Sequence, residues 1–372
     1  MTLRHFLAGV TSALLLSLPM THNAAAATAR YVKSVSVSAT HSCALISDGT
    51  LRCWGENQWG ELGNQSRDNS ATPVPVIGER NIVAVRAGEG FTCALHSSVD
   101  DGRIDCWGLN TKGQLGRGSI SLFALYPAPV AGLSEKTTLY GSDSLTCANG
   151  SCWGRFEYPI ARTATLGGHT GFAEDTVILF SSAAPASFAS IGTAFGTGHV
   201  CSISGGHTNC YGDFRDGQYG NSAGGSSASG ISSATAIAAG GRNTCVLLKN
   251  TRVKCWGANM YSPIWPFSVP LEVQGLSDVV SIAMAGDTIS VHACAITTDA
   301  RVWCWPNGNN LEGPIAAPLP GLSGVLRLYL GRSHSCALLK DESVWCWGDG
   351  AYGQLGNGSE MNSATPVRVN LP

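Results

Sequence analysis

The chain has 372 residues, 46 of them glycine and 14 cysteine, with 13% charged residues and a formal net charge of −2. Sparse, dispersed charge excludes the basic face that holds nucleic acid through counterion release, and it argues against long surface helices. Beyond residue 29 no apolar run approaches the roughly 18 residues of a membrane-crossing helix.

Residues 1–29 read as a secretory signal peptide. Arg4 and His5 precede an apolar stretch at 6–20, and small residues at 24–29 offer an Ala27-Thr28-Ala29 cleavage site. The expected mature chain is exported, extracellular or periplasmic, with no membrane attachment once the signal is removed. Paired cysteines in such a chain point to an oxidising compartment.

From residue 30 the sequence repeats. His41-Ser-Cys-Ala-Leu45 is followed by Asp48-Gly49 and Cys53-Trp-Gly55, and the pattern returns at His334-Ser-Cys-Ala-Leu338 and Cys346-Trp-Gly348. The spacing of 42 to 54 residues between successive units marks a propeller or solenoid. The units are 30–78, 79–132, 133–184, 185–231, 232–276, 277–322 and 323–372. Each opens on a β-branched run such as 35–37, 82–85, 279–283 or 325–329, and then places a strand on each cysteine. A run rich in proline and valine follows, as at 72–76 and 365–369. Proline withholds a ladder donor, so this fourth strand belongs at the sheet edge. The expected fold is all-β: a seven-bladed propeller with four short antiparallel strands and one cysteine pair per blade.

The pairs are Cys43/Cys53, Cys93/Cys106, Cys147/Cys152, Cys201/Cys210, Cys245/Cys255, Cys294/Cys304 and Cys336/Cys346. Asn149-Gly150 and Gly205-Gly206 fit two-residue turns that put their cysteines directly opposite one another. Unit 1 fits a three-residue turn ending at Gly49. Thr251, Ala300 and Glu342 occupy that place in units 5, 6 and 7, where a longer or different turn is expected. Opposed antiparallel residues suit disulfides. Buried thiols and zinc are the alternatives, but zinc sites bring two cysteine pairs together and each unit holds only one. No metal and no cofactor are expected.

These units resemble the repeats of the regulator of chromosome condensation, a propeller superfamily that includes secreted bacterial β-lactamase inhibitor proteins. The resemblance rests on His41-x-Cys43-Ala44-Leu45, Trp54-Gly55-x-Asn57 and Gly60-Glu61-Leu62-Gly63. It returns in Trp107-Gly108-x-Asn110 with Gly113-Gln-Leu-Gly116, and in Trp347-Gly348 with Gly353-Gln-Leu-Gly356. It implies the fold and leaves the role open. One role it implies is inhibition of a secreted or periplasmic enzyme such as a β-lactamase. A nucleotide-exchange role fits poorly with the signal peptide and the absence of basic character.

Catalytic chemistry is not apparent. Gly220-Asn-Ser-Ala-Gly224 matches a nucleophile-elbow pattern but overlaps the repeat turn and lacks the strand and helix that motif needs. His41, His199, His292 and His334 each precede a cysteine by two residues, a repetition that reads as structural hydrogen bonding and not as a metal ring. A glycan-processing enzyme would need converging carboxylates, and none is evident. The expectation is therefore a non-enzymatic, monomeric scaffold that binds a protein through loops on one face. Units 3 to 6 lose the Gly-Gln-Leu-Gly turn or vary around it, at 155–185, 213–230, 260–267 and 307–314. These segments would lie along one arc, with Tyr261, Trp265 and Phe267 as candidate partner-binding residues.

Overall fold

A computed structural model describes residues 30–133, 135, 138–142, 145–148, 151–154, 178–179, 193–196, 199–212, 217–221, 227–258, 267–287, 291–306 and 314–371. Among these residues the chain forms seven antiparallel sheets in order around a propeller, six with four strands and one with three. The first is Val32–Val37, His41–Ile46, Leu51–Gly55 and Ser70–Pro75, paired strictly in sequence order. The second is Ile82–Ala87, Phe91–His96, Ile104–Leu109 and Phe123–Pro129. The last is Val325–Leu330, His334–Leu339, Val344–Gly348 and Ser363–Arg368.

The second strand of a unit is buried along its whole length in units 1, 2, 5 and 7, while the fourth is only partly covered. Proline is accordingly tolerated on the fourth strand, which pairs on one side only.

Packing between blades follows from the two-residue period of a strand. Cys53 and Trp54 are neighbours, so they point to opposite faces of the sheet. The Cys43–Cys53 disulfide meets Trp107 and Ala94 of the next blade, while Trp54 and Ala44 meet the Cys336–Cys346 disulfide of the last. The same pairing of one blade's disulfide with its neighbour's tryptophan recurs at Trp153, Trp256 and Trp305. Each Cys-Trp dipeptide thus supplies one half of each of two separate interfaces.

Disulfides join Cys43–Cys53, Cys93–Cys106, Cys201–Cys210, Cys245–Cys255, Cys294–Cys304 and Cys336–Cys346, with Cα separations of 4.0 to 4.1 Å. In unit 3 Cys147 lies directly opposite Cys152 in the ladder and is disulfide-bonded too.

Two expectations need correction. Unit 4 shows only Thr193–Gly196, His199–Ser204 and His207–Gly212 among the described residues, so the complete four-stranded blades number six and not seven. Its downstream sequence is rich in glycine and serine and lacks the proline–valine run that makes an outer strand elsewhere. Second, the hairpins of units 5, 6 and 7 use the same turn as unit 1. Thr251, Ala300 and Glu342 have φ of 64°, 59° and 68°, beside 80° at Gly49. The turn's hydrogen bonds and the flanking ladder hold these residues in a left-handed conformation that glycine would adopt without strain. The final strand Ser363–Arg368 pairs with Val344–Gly348 and so completes the last blade. The last blade meets the first through packed side chains and a backbone hydrogen bond from Gly358 N to Ala71 O at 2.8 Å.

Candidate functional site

One end of the propeller carries the turns between first and second strands and the connections between third and fourth. In unit 1 that connection is organised by Asn57. Its Oδ1 accepts from Leu62 N at 2.9 Å, and its Nδ2 donates to Asn64 Oδ1, Ser66 O and Asp68 O at 3.0 to 3.1 Å. Asn110 does the same in unit 2, accepting from Leu115 N at 3.1 Å and donating to Ser119 O and Ser121 Oγ. This explains the Trp-Gly-x-Asn motif: a side-chain amide replaces the ladder partners that a loop backbone has lost.

The Gly-Glu/Gln-Leu-Gly turn grips the neighbouring blade. Trp107 Nε1 donates to the Glu61 carbonyl at 2.8 Å, Trp256 Nε1 to that of Gln218 at 2.7 Å, and Trp54 Nε1 to that of Gln354 at 2.9 Å. The closing glycine is required by contact as well as by backbone. Gly63 has φ +64°, and a Cβ there would stand 2.7 Å from Trp107 Nε1. Within the turn, the buried Gln114 and Gln354 accept from the backbone N of Lys112 and Tyr352, and Glu61 accepts likewise from Trp59 N at 2.8 Å. Burial lifts the Glu61 carboxyl to about 7.

The four histidines form latches between blades. His41 Nε2 lies 2.9 Å from Thr92 Oγ1, His199 Nε2 2.9 Å from Thr244 Oγ1, His292 Nε2 3.1 Å from Ser335 Oγ, and His334 Nε2 2.6 Å from Ser42 Oγ. In each case the hydroxyl follows the histidine-equivalent position of the next unit. Thr92 gives its own proton to the Glu61 carbonyl at 2.8 Å, so it accepts from His41 Nε2–H. Burial depresses His41 to about 3, with the nearby His334 adding to the effect. Burial likewise depresses His334 to about 4. The His41 and His334 rings are neutral structural pins.

Between the loops of units 1 and 2 lies a cleft of about 270 Å³ lined by Thr40, Glu56, Trp59, Glu89, Leu109 and Lys112, among others. The half-buried Trp59 ring sits 6.5 Å from that of Phe123, whose face carries the Arg67 guanidinium at 4.9 Å. Ile120, Leu122 and Tyr126, from the loop and strand bordering Phe123, are each about half exposed. Toward the axis, Arg332 of unit 7 bridges Asp287 of unit 6 at 2.7 Å and Glu89 of unit 2 at 3.6 Å.

Tyr261 and Trp265 lie outside the described residues. Phe267 begins the strand Phe267–Glu272, with its backbone opposite Gly257, and its side chain is outside the described set. Most of the four variable segments lie outside it as well. The described part of the nucleophile-elbow match is an ordinary repeat turn, with Gly220 packed beside Trp256.

One cluster has no counterpart in the sequence reading. His96 Nε2 lies 2.9 Å from Glu79 Oε2 and 3.2 Å from Asp105 Oδ2, and all three side chains are at least 96% buried. Burial opposes charge on His96, but the attraction of the adjacent Asp105 and Glu79 carboxylates outweighs it and raises the ring to about 9. The available signal was a polar residue at a core position: His96 stands where units 1, 5 and 7 have Ile46, Leu248 and Leu339.

Comparison with known proteins agrees with this architecture. Two profiles described as the regulator of chromosome condensation (RCC1) repeat match the chain. One covers residues 48–95 and 341–372, and the other 32–60, 82–114, 234–261 and 327–354. The human E3 ubiquitin-protein ligase HERC2 is 31% identical over 93 residues, which cover 24% of this chain and 2% of that protein. A zebrafish (Danio rerio) RCC2 homologue is 34% identical over 94 residues, covering 25% of this chain and 18% of its own length. The chain therefore spans less than a fifth of these relatives. Human WBSCR16 superposes with a TM-score of 0.66 at 20% identity, over 87% of this chain and 94% of that one. The CRINKLY WD40 ectodomain of the Arabidopsis thaliana receptor kinase ACR4 gives 0.52 at 20% identity, over 92% and 100%. Both likenesses concern the fold alone. With the Cys-Ala-Leu, Trp-Gly-x-Asn and Gly-Gln-Leu-Gly elements each performing one repeated structural task, the chain belongs to the RCC1-repeat β-propeller superfamily.

Proposed function

We propose that this chain is an exported, disulfide-braced propeller that binds a protein partner through its loop face and performs no catalysis. The observation that carries this reading is the cleft between units 1 and 2. It is bordered by loops that Asn57 and Asn110 hold rigid, and an aromatic and aliphatic rim extends beyond it. Rigid loops on a scaffold and a partly exposed aromatic patch are the usual ingredients of a protein interface. Buried disulfides support an oxidising compartment, and residues 1–29 fit removal on export. Tyr261, Trp265 and Phe267 remain sequence-based candidates for partner binding.

A photo-cross-linking residue placed at Thr111 on the loop face, and separately at Asn250 on the opposite hairpin end, tests this reading. Incubated with extracytoplasmic extract of the source cells, the first is expected to trap a partner that the second does not. Trapping from Asn250 alone, or from neither position, would reject the loop face as the binding surface.

A further inference from the structure

We propose that Glu79, His96 and Asp105 form a binding site for a divalent transition-metal ion of the zinc class, closing the seam between units 1 and 2 at the hairpin end. The three residues come from three different stretches. Glu79 lies on the connection leaving the first blade, His96 ends the strand Phe91–His96, and Asp105 is the second residue of Ile104–Leu109. Their ligating atoms all lie within 4.8 Å of one another, and every one is buried.

The geometry resembles a coordination shell more closely than a hydrogen-bonded triad. An imidazole Nε2 has one proton or one lone pair to offer, yet two carboxylate oxygens stand beside it at 2.9 and 3.2 Å. Even so, Glu79 Oε2 and His96 Nε2 make no hydrogen bond of acceptable alignment, so Glu79 is close to the ring but off its N–H axis. Donors bound about 2.0–2.2 Å from one tetrahedral ion are separated from each other by roughly 3.3 to 3.6 Å, so the 2.9 and 3.2 Å pairs need open by only a few tenths of an ångström to admit an ion on the imidazole axis between them. Asp105 Oδ1 is likewise buried with no hydrogen bond, and it gives the ion a further donor.

Asp100 Oδ2 lies 3.8 Å from His96 Nδ1, beyond hydrogen-bond reach, and is itself held by Asn81 Nδ2 at 3.1 Å. Asp100 sits on a short 3-10 turn, Ser98–Asp100, in the one hairpin whose cysteines are 13 apart and not 9 or 10 among the described disulfides. Two carboxylates match the charge of a divalent ion, and Arg103 Nη2 lies 3.2 Å from Asp105 Oδ2 at the edge of the cluster. One nitrogen and hard oxygens favour zinc or its first-row neighbours over calcium or magnesium. This departs from the expectation of no metal drawn from the sequence.

The test uses the mature chain with its disulfides intact, stripped by chelator and titrated with zinc against a chromophoric competitor. One equivalent is expected to bind and to raise the melting temperature. His96→Gln and Asp105→Asn should each weaken binding at least a hundredfold while keeping the disulfide map unchanged. Absence of binding at micromolar zinc, or equal binding by wild type and folded His96→Gln, would overturn the proposal. If both variants fail to fold, anomalous diffraction from zinc-soaked wild-type crystals decides it. A peak between the three side chains supports the site, and its absence refutes it.

Discussion

Glu61 occupies a turn position that is glutamine in units 2, 4 and 7, and it is the buried member of the set that can ionise. Replacing it by glutamine keeps the acceptor for Trp59 N, as Gln354 does for Tyr352 N at 2.8 Å. What changes is charge. The carboxyl titrates near 4.5 when exposed and at about 7 in the fold, chiefly because burial disfavours the ion. Below pH 4.5 both states hold the proton and Glu61 exerts no penalty. Between pH 4.5 and 7 the unfolded chain releases its proton while the folded chain keeps it, so stability falls as pH rises. Above 7 the loss is complete and amounts to about 3 kcal/mol.

Glu61→Gln should therefore stabilise the protein by up to about 3 kcal/mol at pH 8 and by little at pH 4. Denaturant midpoints at the two pH values, with disulfides intact, measure the difference. The reciprocal change Gln114→Glu should destabilise at pH 8 and be nearly neutral at pH 4. An equal effect of Glu61→Gln at both pH values would refute the reasoning, because a packing change has no such pH dependence.

His41 and His334 act in the opposite sense. Folding holds off their protons to about pH 3 and 4, so stability should fall as pH drops below 6.5, by about 1.4 kcal/mol per unit for each ring. The slope is best read in the Glu61→Gln background, where the opposing carboxyl is absent. Thr251→Gly and Ala300→Gly relieve left-handed backbone at φ 64° and 59° and should each raise the unfolding free energy by about 1 kcal/mol. Reduced stability in either variant would contradict the turn assignment. Once a partner is captured, Trp265→Ala and Phe267→Ala should weaken binding at least tenfold, about 1.4 kcal/mol or more, without shifting the melting temperature. Unaltered affinity would remove that turn from the interface.

The fold was legible because its devices are local. A cysteine on each of two adjacent strands fixes register within ten residues or so, and a Cys-Trp dipeptide necessarily presents its two side chains to opposite faces. The turns of units 5 to 7 were misread for an equally local reason: without glycine, the sequence does not show that flanking strands hold Thr251, Ala300 and Glu342 in a left-handed conformation. The outer strand of unit 4 was expected by analogy with its neighbours, and no such strand stands among the described residues. The cluster of Glu79, His96 and Asp105 joins a connection to a hairpin, and only the fold brings those positions together.

The histidine latches show a signal that was present but lay between units. Histidine two places before the first cysteine occurs in units 1, 4, 6 and 7. In every one of those cases the following unit carries Thr or Ser one place before its own cysteine: Thr92, Thr244, Ser335 and Ser42. Where the histidine is replaced by Phe91, Leu145 or Asn243, the following unit has Thr146, Val200 or Ala293. Two of these three have lost the hydroxyl, and the third, Thr146 Oγ1, is buried without a hydrogen bond. A buried imidazole N–H and a buried hydroxyl each cost free energy alone and little when paired, so each of these histidines has its hydroxyl, and two of the three positions facing a replaced histidine have lost theirs. The correlation also has a direction, from each unit to the next. It runs from unit 7 to unit 1, so the order of blades and the closure between the chain's two ends are written in single residues beside the cysteines.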